Sequence, residues 1–139
     1  LARIIGIDYG LKRTGIAVSD PLNIGASGLT TVSTYEVLTF LEEYFSKEKV
    51  ECIVVGMPLK MNNKGSESLQ YVKQFIVALG RKFPGMRIEL MDERFTSKMA
   101  VRAMIEGGMK KSERRKKENI DRISAAIILQ SFLDKEKNN

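Results

Sequence analysis

The chain has 139 residues, 23 Lys and Arg against 17 Asp and Glu, a formal net charge of +6, and no histidine. That length suits one domain with a real core, and the basic balance suits a polyanionic partner without demanding one. The lack of histidine excludes histidine general bases, Ser-His triads and most zinc sites, so catalysis falls to carboxylates, Lys, Tyr, Ser or Thr, and any metal to hard oxygen ligands.

The lone cysteine, Cys52, lies in an apolar run and reads as a small buried hydrophobe in a reducing cytoplasm. No apolar run is long enough to span a bilayer, and the first residues lack a signal-peptide layout. A cytoplasmic protein without membrane contact is the expectation.

In chain order, Arg3–Asp8 is an apolar run that ends in a carboxylate. Tyr9-Gly10-Leu11-Lys12-Arg13 follows as a tight turn, and residues 14–19 return as a second strand that Pro21 stops. Gly10 lets a ligand's phosphate come close to Asp8, although Asp8 can equally serve as a turn cap. A short third strand is expected over 29–32. Ser33 and Glu36 have capping-box spacing ahead of a helix whose Val37, Leu38, Leu41, Tyr44 and Phe45 form one core stripe.

Cys52-Ile53-Val54-Val55 reads as a parallel strand buried on both faces, ending in Gly56-Met57-Pro58. A polar loop from Lys60 to Ser68 leads to a helix with Leu69, Val72, Ile76, Leu79 and Phe83 on one side, ended by Pro84-Gly85. Residues 87–92 form the next strand, followed by Glu93-Arg94 and a short helix with Val101, Met104 and Ile105, capped by Thr96 or Ser97 and broken at Gly107-Gly108. The segment 109–118 packs Lys110, Lys111, Arg114, Arg115, Lys116 and Lys117 together without apolar period and reads as a loop. A last helix over 119–134 sets Asp121, Ala125, Ile128 and Phe132 on one face.

Right-handed crossovers make the later strands parallel to the first, which predicts an α/β fold with a five-stranded mixed sheet and helices on both faces. In such sheets ligands sit beyond the carboxyl ends of the parallel strands. Asp8, Glu93 and Asp121 then have a topological reason to converge. Carboxylates held that close resist joint ionisation, and a divalent cation relieves the repulsion. Lys12, Arg13 and the basic segment are placed to meet phosphates. Each feature also has an ordinary account: Asp121 suits a helix N-terminus, residues 92–94 suit a surface ion cluster, and the basic run suits a solvated loop.

Four segments together resemble the YqgF/RuvX-type family of pre-16S ribosomal RNA nucleases and Holliday-junction-resolvase-like proteins. They are Gly6–Gly15, Val55–Pro58, Asp92–Thr96 and Asn119–Gln130. The resemblance covers nearly the whole chain, 1–139. It implies an RNase H-like nuclease domain with the first three strands antiparallel. It implies Asp8, Glu93 and Asp121 as the acidic metal site for Mg²⁺ or Mn²⁺, and Gly56, Pro58 and Arg94 as substrate-side positions. It points to precursor ribosomal RNA as substrate, with branched DNA as the alternative, and to contact with ribosomal particles. The loop between Pro58 and Gly65 is slightly longer than the family's usual form, and Phe95 stands where an aliphatic residue is common.

Two other classes compete. A non-catalytic RNA- or ribosome-binding factor would keep the acids for stability. A nucleotide-dependent phosphotransferase would share the Asp8-x-Gly10 turn with the actin, sugar-kinase and Hsp70 group, but needs a second such domain. The expected state is a monomer or homodimer; junction resolution requires paired sites and hence the dimer.

Overall fold

The computed structural model describes residues 2–58, 67–92 and 117–137. The apolar run near the start becomes β1 (Arg3–Tyr9), the middle strand of the sheet. β2 (Arg13–Ser19) turns back antiparallel to it, and β3 (Ala26–Ser33) runs antiparallel to β2. β4 (Val50–Met57) lies parallel to β1 on its other side, and β5 (Arg87–Asp92) parallel to β4. The five strands stand in the order β3-β2-β1-β4-β5, and the expected mixed sheet forms, with the first three strands antiparallel and the next two parallel to the first.

Strand alternation sorts the side chains into two cores. Ile5, Ile7, Ile16, Val18, Ile53 and Val55 face one side. There they meet Val37 and Leu41 of α1 (Val37–Lys47) and Val72, Phe75 and Leu79 of α2 (Glu67–Lys82). Ile4, Ala17, Cys52 and Val54 face the other side, against Ala125, Ile128, Leu129, Phe132 and Leu133 of α3 (Lys117–Lys137). Both faces of β1 and β4 are therefore covered, which explains their near-continuous apolar runs.

α3 comes unusually near the sheet because the strands beneath it present glycine. A Cβ at Gly6 would stand 2.7 Å from the Leu129 Cβ, and one at Gly15 would overlap the backbone carbonyl of Asp121. At Gly28 it would run into the stem of Arg122.

Three expectations change. The Ser33–Glu36 capping box does not form: Ser33 makes no side-chain cap bond, and a 3-10 turn over Thr34–Glu36 precedes α1. Thr34 fixes this corner instead. Its amide donates to the Lys12 carbonyl at 3.0 Å and its hydroxyl to the Gly10 carbonyl at 2.6 Å, tying the start of α1 to the β1–β2 turn. β3 is longer than expected, starting at Ala26, because Asp20 organises the turn before it by accepting from the amides of Leu22, Ile24 and Gly25. α3 begins at Lys117, inside the span read as a basic loop. The loop residues 60–66 and the short helix expected after Thr96 lie outside the described residues.

Candidate functional site

Parallel pairing of β1, β4 and β5 brings their carboxyl ends, Tyr9, Met57 and Asp92, to one edge of the sheet. Asp8 is the next-to-last residue of β1. Strand alternation sets it with Ile4 and Gly6 on the α3 face, and its register partner across β2 is Gly15. The backbone of Asp121, in the second turn of α3, rests on that same Gly15. One glycine thus joins the two acids, pairing with the first and carrying the second. Both side chains are half-buried.

Arg13 starts β2 on the same face. Its Nε donates to Asp121 Oδ2 at 3.0 Å, with the two side chains 34% and 23% exposed. The guanidinium is therefore committed to the acid, while Lys12 at the turn stays exposed. Gly10 makes the turn possible: a Cβ there would collide with the Arg13 carbonyl. Gly56 is buried in β4 opposite Met91, and Pro58 follows the strand directly.

The acids at this edge are hard oxygen donors, the type that Mg²⁺ and Mn²⁺ take. Among the described residues no three His, Cys, Asp or Glu side chains form a metal-holding group. Glu93, Arg94, Lys110, Lys111, Arg114, Arg115 and Lys116 lie outside the described residues, and Lys117 is the first residue of α3. Glu93 follows the last residue of β5 in the chain. Cys52 contributes nothing to the edge: it is buried under α3, and burial pushes its thiol up to about 11.

Tyr9, the aromatic beside Asp8 that invites a substrate role, points the other way. It stacks on Phe75 with ring centroids 4.2 Å apart, on the α1–α2 face, and burial raises its phenol above the usual value. The residues that sequence reasoning passed over are Gly15 and Thr34. Glycine inside an apolar strand signals close backbone approach, and that signal was present at Gly15. Nothing in the sequence marks Thr34 over its hydroxyl neighbours.

Two solved structures share this architecture over nearly their whole length. The first is T. thermophilus RuvC in complex with Holliday junction substrate, with a TM-score of 0.57, 19% identity, and coverage of 98% of this chain and 96% of that one. The second is the Fowlpox virus resolvase with substrate Holliday junction DNA, with a TM-score of 0.57, 12% identity, and coverage of 96% and 98%. The fold is of the RNase H-like class. The family model RuvX, described as Holliday junction resolvase, matches residues 2–135. The chain belongs to the RuvX family and is a nuclease. A Christiangramia forsetii protein named "Putative pre-16S rRNA nuclease" is 54% identical over 133 residues, covering 96% of this chain and 98% of its own. A Bacteroides thetaiotaomicron protein of the same name is 50% identical over 137 residues, covering 99% of each. Among the described residues no helix is long and apolar enough to cross a membrane.

Proposed function

We propose that the chain, as one nuclease domain over 1–139, is a divalent-metal-dependent endonuclease acting on structured nucleic acid. Its substrate is precursor 16S ribosomal RNA, cleaved at the 5′ end during maturation. The observation that carries this reading is the Gly15 junction, where Asp8 of β1 and Asp121 of α3 meet the same residue at the carboxyl edge of the sheet. The relatives near 50% identity supply the substrate.

In this reading Asp8, Glu93 and Asp121 hold Mg²⁺ or Mn²⁺, and no histidine is needed. When bound, the metal activates water and stabilises the leaving oxygen of a phosphodiester. The chain's own part is placement. β1 fixes Asp8 on a rigid strand end, α3 brings Asp121 onto the same face, and Arg13 orients the Asp121 carboxylate. Lys12 and the basic run Lys110–Lys117 meet phosphates flanking the cleaved bond, giving affinity without sequence choice. Gly56, Pro58 and Arg94 line the substrate side.

The test is incubation with precursor 16S ribosomal RNA and with a four-way DNA junction, with and without Mg²⁺ or Mn²⁺. Metal-dependent cleavage of the RNA is expected, and Asp8→Asn lowers it by about a hundredfold or more while RNA binding persists. Undiminished cleavage by folded Asp8→Asn overturns the site. Cleavage of the junction alone, by a dimer, replaces the substrate.

A further inference from the structure

Asp8 on β1, Gly15 on β2 and Thr31 on β3 form one row across the sheet. The next row on the same face, further from the carboxyl edge, is Gly6, Ala17 and Gly28. α3 lies over both rows: the Asp121 backbone rests on Gly15, and Leu129 on Gly6. Toward β3 the helix presents Arg122. A Cβ at Gly28 would run into the Arg122 Cγ and stand 3.0 Å from its Cδ. The arginine stem therefore lies flat on the strand where glycine leaves the place open.

The guanidinium turns back from there. Its Nη2 donates to Asn119 Oδ1 at 3.0 Å, one turn nearer the start of α3 and so nearer the carboxyl edge. The residue is half-buried. The two arginines beside Asp121 differ in what they face. Arg13 meets the Asp121 carboxylate at 3.0 Å. Arg122 bonds a neutral amide, and among the described residues no Asp or Glu lies within ion-pair distance of it. An arginine kept only for solvation needs neither a glycine beneath its stem nor an amide holding its fork. A preset guanidinium without a counter-ion suits an anion, and in a nuclease the anion at hand is a backbone phosphate.

Strand spacing decides which phosphate. β3 stands two strands from β1, about 10 Å across the sheet. A fork anchored over β3 therefore meets a different phosphate from the one over Asp8. We propose that Arg122 holds the backbone phosphate next to the cleaved one, on the β3 side of the acids, and that Gly28 sets its stem. The substrate strand then leaves the acids across β2 and β3, away from β4 and β5. A two-bond grip on phosphate is what a guanidinium supplies and an ammonium does not. The proposal rests on the acids at Gly15 being the cleavage site.

The test uses the full chain, Mn²⁺ and precursor 16S ribosomal RNA. Arg122→Gln keeps a stem over Gly28 and a donor for Asn119, and removes the charge. It is expected to raise KM roughly tenfold with kcat within about twofold, and to lower the salt slope of RNA binding by about one. Arg122→Lys restores the slope but only part of the affinity. Gly28→Ala keeps the charge, displaces the stem and raises KM in the same direction. In a short RNA spanning the cleaved bond, a neutral methylphosphonate at the neighbouring phosphate mimics Arg122→Gln and adds nothing to it. Affinity is also measured in Asp8→Asn, where adding Arg122→Gln weakens RNA binding by the same factor. Undiminished cleavage by Asp8→Asn would sink the acidic site, whereas the arginine's contact is judged on affinity. Unaltered KM and slope in folded Arg122→Gln overturn the proposal, as does full additivity with the methylphosphonate on both sides of the bond. A rise in KM matched by a fallen urea midpoint overturns it too, since the arginine then acts through packing.

Discussion

Arg13 and Asp121, 108 positions apart in the chain, share a hydrogen-bonded ion pair at 3.0 Å on the face that carries Asp8. Both side chains are part-exposed, so the pair adds about 0.5–1 kcal/mol to stability. Its larger consequence is competition, because a guanidinium and a metal cation seek the same carboxylate. Arg13→Ala is expected to cost no more than about 1 kcal/mol in urea unfolding. Mn²⁺ affinity, read by calorimetry, rises roughly fivefold as the competing charge leaves. The salt slope of RNA binding changes by less than one unit, since Arg13 is already committed to Asp121. Unchanged Mn²⁺ affinity would remove Asp121 from the metal site.

Gly15 and Gly80 form a natural pair of experiments. The Asp121 carbonyl fills the place a Cβ would take at Gly15, so Gly15→Ala must push α3 off the sheet. A loss of about 2–3 kcal/mol is expected, together with loss of nuclease activity. Gly80, within α2, has nothing within 4 Å of that place. Gly80→Ala is expected to stabilise by about 0.5–1 kcal/mol through the unfolded chain and helix propensity. Equal effects in urea denaturation would mean that α3 does not depend on Gly15.

The strands were legible because burial on two faces leaves a continuous apolar signature, as in Cys52–Val55, and one-face burial leaves helical spacing, as in Val37 and Leu41. The placement of Asp121 on the sheet-facing side of α3 was legible for the same reason, since it continues the spacing of the buried Ala125, Ile128 and Phe132. The contact of Asp121 with Gly15 was not, since no local pattern links residues so distant in sequence. The capping box at Ser33 is a local rule that lost to a tertiary one, the Thr34 hydroxyl bonding Gly10. Tyr9 is adjacent to Asp8 in sequence but serves the opposite core, because neighbours on a strand face opposite ways.

Thr34 links α1 to the turn that carries Lys12. Its hydroxyl donates to the Gly10 carbonyl at 2.6 Å and so accepts from the buried Thr14 hydroxyl at 2.9 Å. Thr34→Val keeps the shape and strands both partners, which is expected to cost about 1–3 kcal/mol. Amide exchange over 10–14 speeds up, whereas Thr34→Ser restores the wild-type pattern. If Thr34→Val and Thr34→Ser behave alike, the hydroxyl is not what holds the turn.

Cys52 sets the behaviour at alkaline pH. Burial, with Glu89, Glu51 and Glu136 adding to it and Arg87 opposing, raises the thiol from 9.0 to about 11. The folded state keeps the proton when the unfolded chain has lost it, so the unfolded state binds fewer protons between those values. Stability from this group is therefore complete below pH 9, falls from 9 to about 11, and changes no further above. Cys52→Ala leaves a small cavity and lowers stability at pH 7, yet its decline from pH 9 to 11 should be shallower than the wild type's in urea titrations. The native thiol should also resist iodoacetamide at pH 8 and react fully once unfolded, because the thiolate is the nucleophile. Parallel declines in the two proteins, or rapid alkylation of the native one, would show that the thiol is not held protonated under α3.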